Sequence, residues 1–168
     1  MDNPTINKLL KLYPRIKLQS GESFYWSPEK ELIVYNENLI DKPVGKWALF
    51  HEVAHANLGH VNYSSDLGLL KLEVAAWEEA KIIASKFRSE INEDHIQDCL
   101  DTYRDWLHRR SSCPTCGIVC MQIANTNYKC HNCKTNWVVS ASRFCRPYRL
   151  TINQPIEKRL QTKVTTFS

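Results

Sequence analysis

The segment His51-Glu52-Val53-Ala54-His55 constrains this chain more than any other. Residues four apart share a face only on an α-helix, so imidazoles at this spacing act together only if the segment is helical. The surrounding residues agree. A helix is predicted from about Val44 to His60, after a loop over Asn38 to Pro43. Glu52 then sits one step round from His51, within reach of whatever both imidazoles hold.

This is the HExxH arrangement, in which the histidines bind zinc and the glutamate serves as general base. A hydrolytic zinc site takes three protein ligands and keeps a position open for water, so a third ligand is needed. His60 is nearest, but the extended pattern HExxHxxGxxH places its glycine and third histidine where this chain has Leu58 and Val61. Gly59 and His60 each miss by one.

A second helix is predicted over about Leu67–Ile91, capped by Asp66, and it offers Glu73, Glu78 and Glu79. Taking 100° per residue, Glu73 shares a face with Ala76, Trp77 and Ala80, which are suited to packing. Glu78 and Glu79 are rotated by roughly 140° and 240° from it. Glu73 also follows His55 by 18 residues, enough for a turn and a return. It is the expected third ligand, against the plainer reading of a solvent-facing glutamate. For the donor that would stabilise an oxyanion, Tyr63, His60, His95 and Tyr103 are candidates that the sequence does not separate.

Elsewhere, Asn3-Pro4 followed by Ile6, Leu9, Leu10 and Tyr13 predicts a capped helix ending before Pro14. Ser23–Ser27 and Glu31–Asn36, joined by Pro28-Glu29-Lys30, predict a β-hairpin. Its edge suits an extended peptide by β-augmentation, or simply closes a core. Another helix is expected from Asn92 to near Arg109-Arg110.

The stretch Phe50-His51-Glu52-Val53-Ala54-His55-Ala56-Asn57-Leu58-Gly59-His60 is similar to the HExxHxxLGH helix of the ImmA/IrrE metallopeptidases. Leu72-Glu73-Val74-Ala75-Ala76-Trp77-Glu78-Glu79-Ala80 resembles their glutamate-bearing helix, and the likeness covers about residues 5–90. That helix commonly reads Glu-x-Glu-Ala in the family; here the second glutamate slot is Ala75, which leaves Glu73. The resemblance implies a zincin-like core and a cytoplasmic, zinc-dependent, site-specific endopeptidase. Its substrate would be a regulatory protein such as a helix-turn-helix repressor.

Cys113-Pro-Thr-Cys116 and Cys130-His-Asn-Cys133 are two CxxC knuckles separated by 13 residues. Paired knuckles at this spacing hold a structural zinc through four thiolates, which predicts a zinc ribbon over 111–140. Ile118–Ile123 and Tyr128-Lys129, joined through Ala124–Asn127, suit a hairpin between them. Two Zn2+ ions per chain are therefore expected, one catalytic and one structural. Cys99, Cys120 and Cys145 are left over, with buried or inert thiols as their expected fate; Cys120 and Cys145 lie near the four-cysteine cluster, which keeps ligation open as an alternative for those two.

The net charge of +4 hides an asymmetry: residues 1–106 sum to −5 and residues 107–168 to +9. A basic end suits nucleic acid, an acidic protein surface, or merely a solvated tail. Lys129, Lys134, Arg143, Arg146 and Arg149, interleaved with Trp137 and Tyr148, are the candidates for phosphate contact and base stacking. A ribbon after an HExxH helix also resembles SprT-like proteases, which act on DNA-linked proteins. They take a third histidine far downstream, followed by glycine, and no His-Gly pair occurs here. A non-catalytic zinc-ribbon adaptor is the remaining alternative, although such a protein has no need of Glu52.

The expected architecture is α+β: a mainly helical metallopeptidase core with a small β-hairpin or sheet at 1–110, the zinc ribbon at 111–140, and a basic tail at 141–168. No apolar run reaches the ~20 residues of a membrane span, and the N-terminus lacks a signal-peptide pattern. A cytoplasmic location is expected, with no membrane partner.

Overall fold

The computed structural model describes residues 3–140 and 148–152. Among them are four helices and two small sheets, a mixed α+β chain. Two compact units emerge: Met1–Tyr63 with Lys71–Leu100, and Ser64–Leu70 with Asp101–Ser168. The boundary expected at residue 110 thus falls inside the second unit.

In the first unit, α1 (Pro4–Leu12) begins where the Asn3 side chain accepts the N–H groups of Thr5 and Ile6. Strands β1 (Lys17–Gly21), β2 (Tyr25–Ser27) and β3 (Leu32–Asn36) form a sheet in the order β1-β3-β2. The antiparallel β2-β3 pair is the predicted hairpin. Strand β1, parallel to β3, was not expected. Lys17-Leu18-Gln19-Ser20-Gly21 holds one apolar side chain and gives no alternation, so its strand character comes from pairing.

Helix α2 (Pro43–Asn57) buries Leu49, Phe50, His51, Val53 and Ala54. It starts against the preceding loop so closely that a Cβ on Gly45 would lie 1.9 Å from the Leu39 carbonyl oxygen. Helix α3 (Asp66–Lys86) buries Ala76, Trp77, Ala80, Ile83 and Ala84 in this unit, and α4 (Glu93–Ser111) adds Ile96 and Leu100.

Two helix limits differ from expectation. Helix α3 stops five residues short of Ile91, because Arg88 turns into the left-handed region (φ 52°) and Asn92 then accepts the His95 N–H to start α4. Its N-terminal cap is Ser65, whose Oγ accepts the Gly68 N–H, and not Asp66. Asp66 is the first helical residue and its carboxylate is buried elsewhere.

In the second unit, β4 (Gln122–Ala124), β5 (Asn127–Lys129), β6 (Asn136–Val139) and β7 (Arg149–Ile152) form an antiparallel sheet in chain order. The expected hairpin is β4-β5. Strand β7 lies in the segment expected to be tail; Arg149, Leu150 and Thr151 are exposed and only Ile152 is buried, so nothing local marks a strand. Its residues are strand because they pair with β6.

Tyr128 and Trp137 are cross-strand neighbours, stacked at 5.3 Å and buried with Cys113, Cys120, Cys130 and Val139. Beneath them Asp66 takes a bidentate contact from Arg110, Nε to Oδ2 at 2.6 Å and Nη2 to Oδ1 at 3.1 Å. The Tyr128 hydroxyl donates to Oδ2 at 2.5 Å, and the Trp137 indole donates to the Arg110 carbonyl at 2.9 Å. The pair is nearly solvent-free, so these bonds offset what desolvating two charges costs. No described helix is long and apolar enough to cross a membrane.

Candidate metal centres

Helix α2 puts His51 and His55 on one face, one turn apart, and α3 lays Glu73 against them. His51 Nε2 lies 3.1 Å from Glu73 Oε2 and 3.1 Å from His55 Nε2, and His55 Nε2 lies 3.6 Å from Glu73 Oε2. A tetrahedral ion with bonds of about 2.0–2.1 Å spaces its ligand atoms about 3.3–3.4 Å apart, so the triangle has the size such an ion requires. The expected face of Glu73 is the observed one: Ala76, Trp77 and Ala80 are buried beside it. Glu78 is exposed, and Glu79 instead accepts a bond from Asn57.

Burial pushes the Glu73 carboxyl up, but the hydrogen bonds and charge of His51 and His55 outweigh it and bring it down to about 2. Glu73 is therefore a carboxylate at neutral pH, as a ligand must be. His51 stacks on Trp77 with ring centroids 4.1 Å apart, which fixes its plane from the side.

Glu52 points to the same region and is held by β2: the Trp26 N–H donates to Oε2 at 2.7 Å. Among the described residues this leaves Oε1 without a hydrogen-bonding partner. Burial raises the Glu52 carboxyl above its usual range, and the nearby histidines and the Trp26 bond only partly oppose that. A desolvated carboxylate with a raised pKa is a stronger base than an exposed one. Trp26 escaped notice in the sequence because its backbone, not its side-chain chemistry, makes this contact.

Of the four oxyanion candidates, the structure brings His60 to the site. Its Nδ1 lies 2.8 Å from Nδ1 of His55, on the nitrogen turned away from the triangle, so His60 is outside the donor set. His95 lies edge-on to Trp77, with Nε2 3.8 Å from the Cys99 sulfur. Tyr63 is exposed, and Tyr103 belongs to the second unit.

In the second unit the four sulfurs of Cys113, Cys116, Cys130 and Cys133 lie within 4.8 Å of one another, with Cys113 to Cys133 and Cys116 to Cys130 both at 3.5 Å. Four thiolates around a zinc-sized ion at ~2.3 Å would be about 3.8 Å apart. The two knuckles repeat one backbone design. Each first cysteine's carbonyl accepts the N–H four residues on, from Gly117 (φ 74°) and Lys134 (φ 65°). Thr135 hydrogen bonds hold the Cys133 thiol down at about 6, which favours the thiolate. Cys120 is buried beside the cluster but outside it, and burial together with a bond to Cys130 pushes its thiol up to about 11.

Among the proposed phosphate contacts, Lys129, Lys134 and Arg149 are exposed; Arg143, Arg146 and also Cys145 lie outside the described residues. Trp137 is corrected: it is fully buried, stacked on Tyr128 and bonded to Arg110, so no base can stack on it. Tyr148 is exposed.

Both donor sets suit a metal ion, and their geometry does not distinguish zinc from its neighbours. No family model, curated protein or solved structure matches the chain.

Proposed function

We propose that the chain is a zinc-dependent endopeptidase whose centre is His51, His55 and Glu73 and whose general base is Glu52. The observation that carries this reading is the convergence of two imidazole nitrogens and one carboxylate oxygen at tetrahedral spacing, with a second, desolvated carboxylate beside them. Two nitrogens and an oxygen suit zinc. His51, His55 and Glu73 would hold such an ion, which would supply Lewis acidity and make water a usable nucleophile near neutral pH.

Glu52 takes the proton of the attacking water on Oε1 and later gives it to the leaving amine nitrogen. Trp26, by occupying Oε2, aims that oxygen. The Cys113/Cys116/Cys130/Cys133 cluster is read as a structural zinc that holds the ribbon together. The likeness of residues 5–90 to ImmA/IrrE metallopeptidases favours a regulatory protein, of the repressor type, as substrate.

The test is metal content and cleavage in one series. The full chain should hold two zinc ions, and Glu52→Gln should keep both while abolishing Glu52-dependent cleavage of co-expressed repressor proteins. One zinc ion per chain would sink the two-site reading, and full cleavage by Glu52→Gln would remove Glu52 as the base.

A further inference from the structure

A metal ion at the first centre would need a lone pair from each of the three atoms that converge there, and that need would fix where the imidazole protons lie. If His55 Nε2 faces a metal, its single proton is on Nδ1, and Nδ1–H needs an acceptor. The atom it meets is Nδ1 of His60 at 2.8 Å. His51 is held otherwise: its Nδ1 is buried with no hydrogen-bond partner among the described residues, and stacking on Trp77 sets its plane.

His60 reaches this position through the way α2 ends. After Leu58, Gly59 takes φ 66°, its N–H bonds the Ala56 carbonyl at 3.2 Å, and the His60 N–H bonds the His55 carbonyl at 3.0 Å. These are the paired 5→2 and 6→1 bonds of a Schellman cap, which folds the chain back over the last turn. The His60 carbonyl then accepts the Trp26 indole N–H at 2.9 Å, tying the cap to β2. The His60 ring lies edge-on to that of His55 at 5.0 Å. Backbone hydrogen bonds before and after the ring thus set where it lies.

We propose that His60 is the positioning residue for His55: its Nδ1 accepts the His55 Nδ1–H, so that His55 keeps a bare Nε2 aimed at the metal. The inference rests on the zinc reading of the His51/His55/Glu73 centre. It gives the Leu58-Gly59-His60 turn a purpose that neither a third-ligand role nor an oxyanion role supplies. The proton of His60 itself is then on Nε2, pointing away from His55.

The experiment uses the full chain with its ribbon intact and Co2+ as the probe. Thiolate-to-cobalt charge-transfer bands report the four-cysteine site, and the remaining d–d absorption reports the histidine site. Chelator competition on His60→Ala should show the histidine site weakened by about 10–100-fold with the thiolate bands unchanged. His60→Asn, which places an acceptor oxygen where Nδ1 stands, should recover affinity to within a few-fold of the unsubstituted chain.

Unchanged affinity in His60→Ala overturns the proposal, and so does His60→Asn binding as weakly as His60→Ala, since the ring would then act by some other route. A chain that takes up cobalt only at the thiolates overturns the zinc reading and this inference together. Loss of the thiolate bands in His60→Ala means that the variant has misfolded more widely, and the His60→Asn result then decides alone.

Discussion

His51 Nε2 and Glu73 Oε2 stand 3.1 Å apart although 22 residues separate them, and both side chains are buried. The contact joins α2 to α3 inside the first unit, and it closes the donor triangle with His55. Every reading of this chain as an enzyme depends on that closure, because two histidines on one helix turn hold an ion only weakly without a third ligand.

Glu73→Gln tests the closure directly. The amide keeps size and some hydrogen bonding but loses the charge and the preferred ligand oxygen. Zinc content should fall from two ions per chain toward one, with the circular dichroism of the fold retained. Glu78→Gln on the same helix should leave both ions in place, since Glu78 is solvent-facing. Equal loss in both variants would show that the centre does not use Glu73.

Cys113→Ser combined with Cys116→Ser should empty the second centre and spare the first. With its ligands gone, the small core of Tyr128, Trp137 and Val139 keeps only strand pairing and the bonds to Asp66 and Arg110 to order it. The Trp137 indole N–H, now bonded to the Arg110 carbonyl, should lose its slow exchange with solvent in NMR spectra. Persistence of that slow signal would mean that the ribbon folds without metal.

Gly45→Ala should destabilise the first unit by roughly 1–3 kcal/mol, read as a lowered unfolding midpoint. The added methyl would fall on the Leu39 carbonyl oxygen, and backbone cannot swing aside as a side chain can. Gly59→Ala meets no such atom; its penalty is the left-handed φ alone, about 1 kcal/mol.

Arg110→Met leaves the Asp66 carboxylate buried without its cationic partner, with only the Tyr128 hydroxyl bonded to it, and should cost about 3–5 kcal/mol, whereas Asp66→Leu with Arg110→Met should cost less than the two single changes summed. Tyr128 adds a pH signature. Burial first, then its bond to Asp66, raises the phenol above its usual range, so folding favours the neutral form. That contribution is complete below the ordinary tyrosine pKa of about 10 and is lost as pH rises through the raised value. Tyr128→Phe should flatten the alkaline fall in stability; an unchanged slope would sink the assignment.

Much of the first centre was legible in the sequence. His51 and His55 needed only helical spacing, and Glu73 separated from Glu78 and Glu79 because its helical neighbours Ala76, Trp77 and Ala80 are the ones that pack. Trp26 was not legible, since a main-chain N–H carries no residue signature. Strands β1 and β7 were missed for a related reason: in both, pairing with a neighbour makes the strand, and their own side chains scarcely alternate.

Local chemistry alone therefore determined the parts with a short repeat: the HExxH turn, the two CxxC knuckles, the capped starts of α1 and α4, and the basic end. Tertiary structure decided which groups meet across distance. It turned Asp66 from a helix cap into the buried partner of Arg110 and Tyr128, removed Trp137 from the surface, and set His60 behind His55 instead of beside it. Spacing along a helix or a turn is a property of the chain itself. Whether a carboxylate, an indole or an imidazole is buried depends on what folds over it, and that is settled only when distant segments pack.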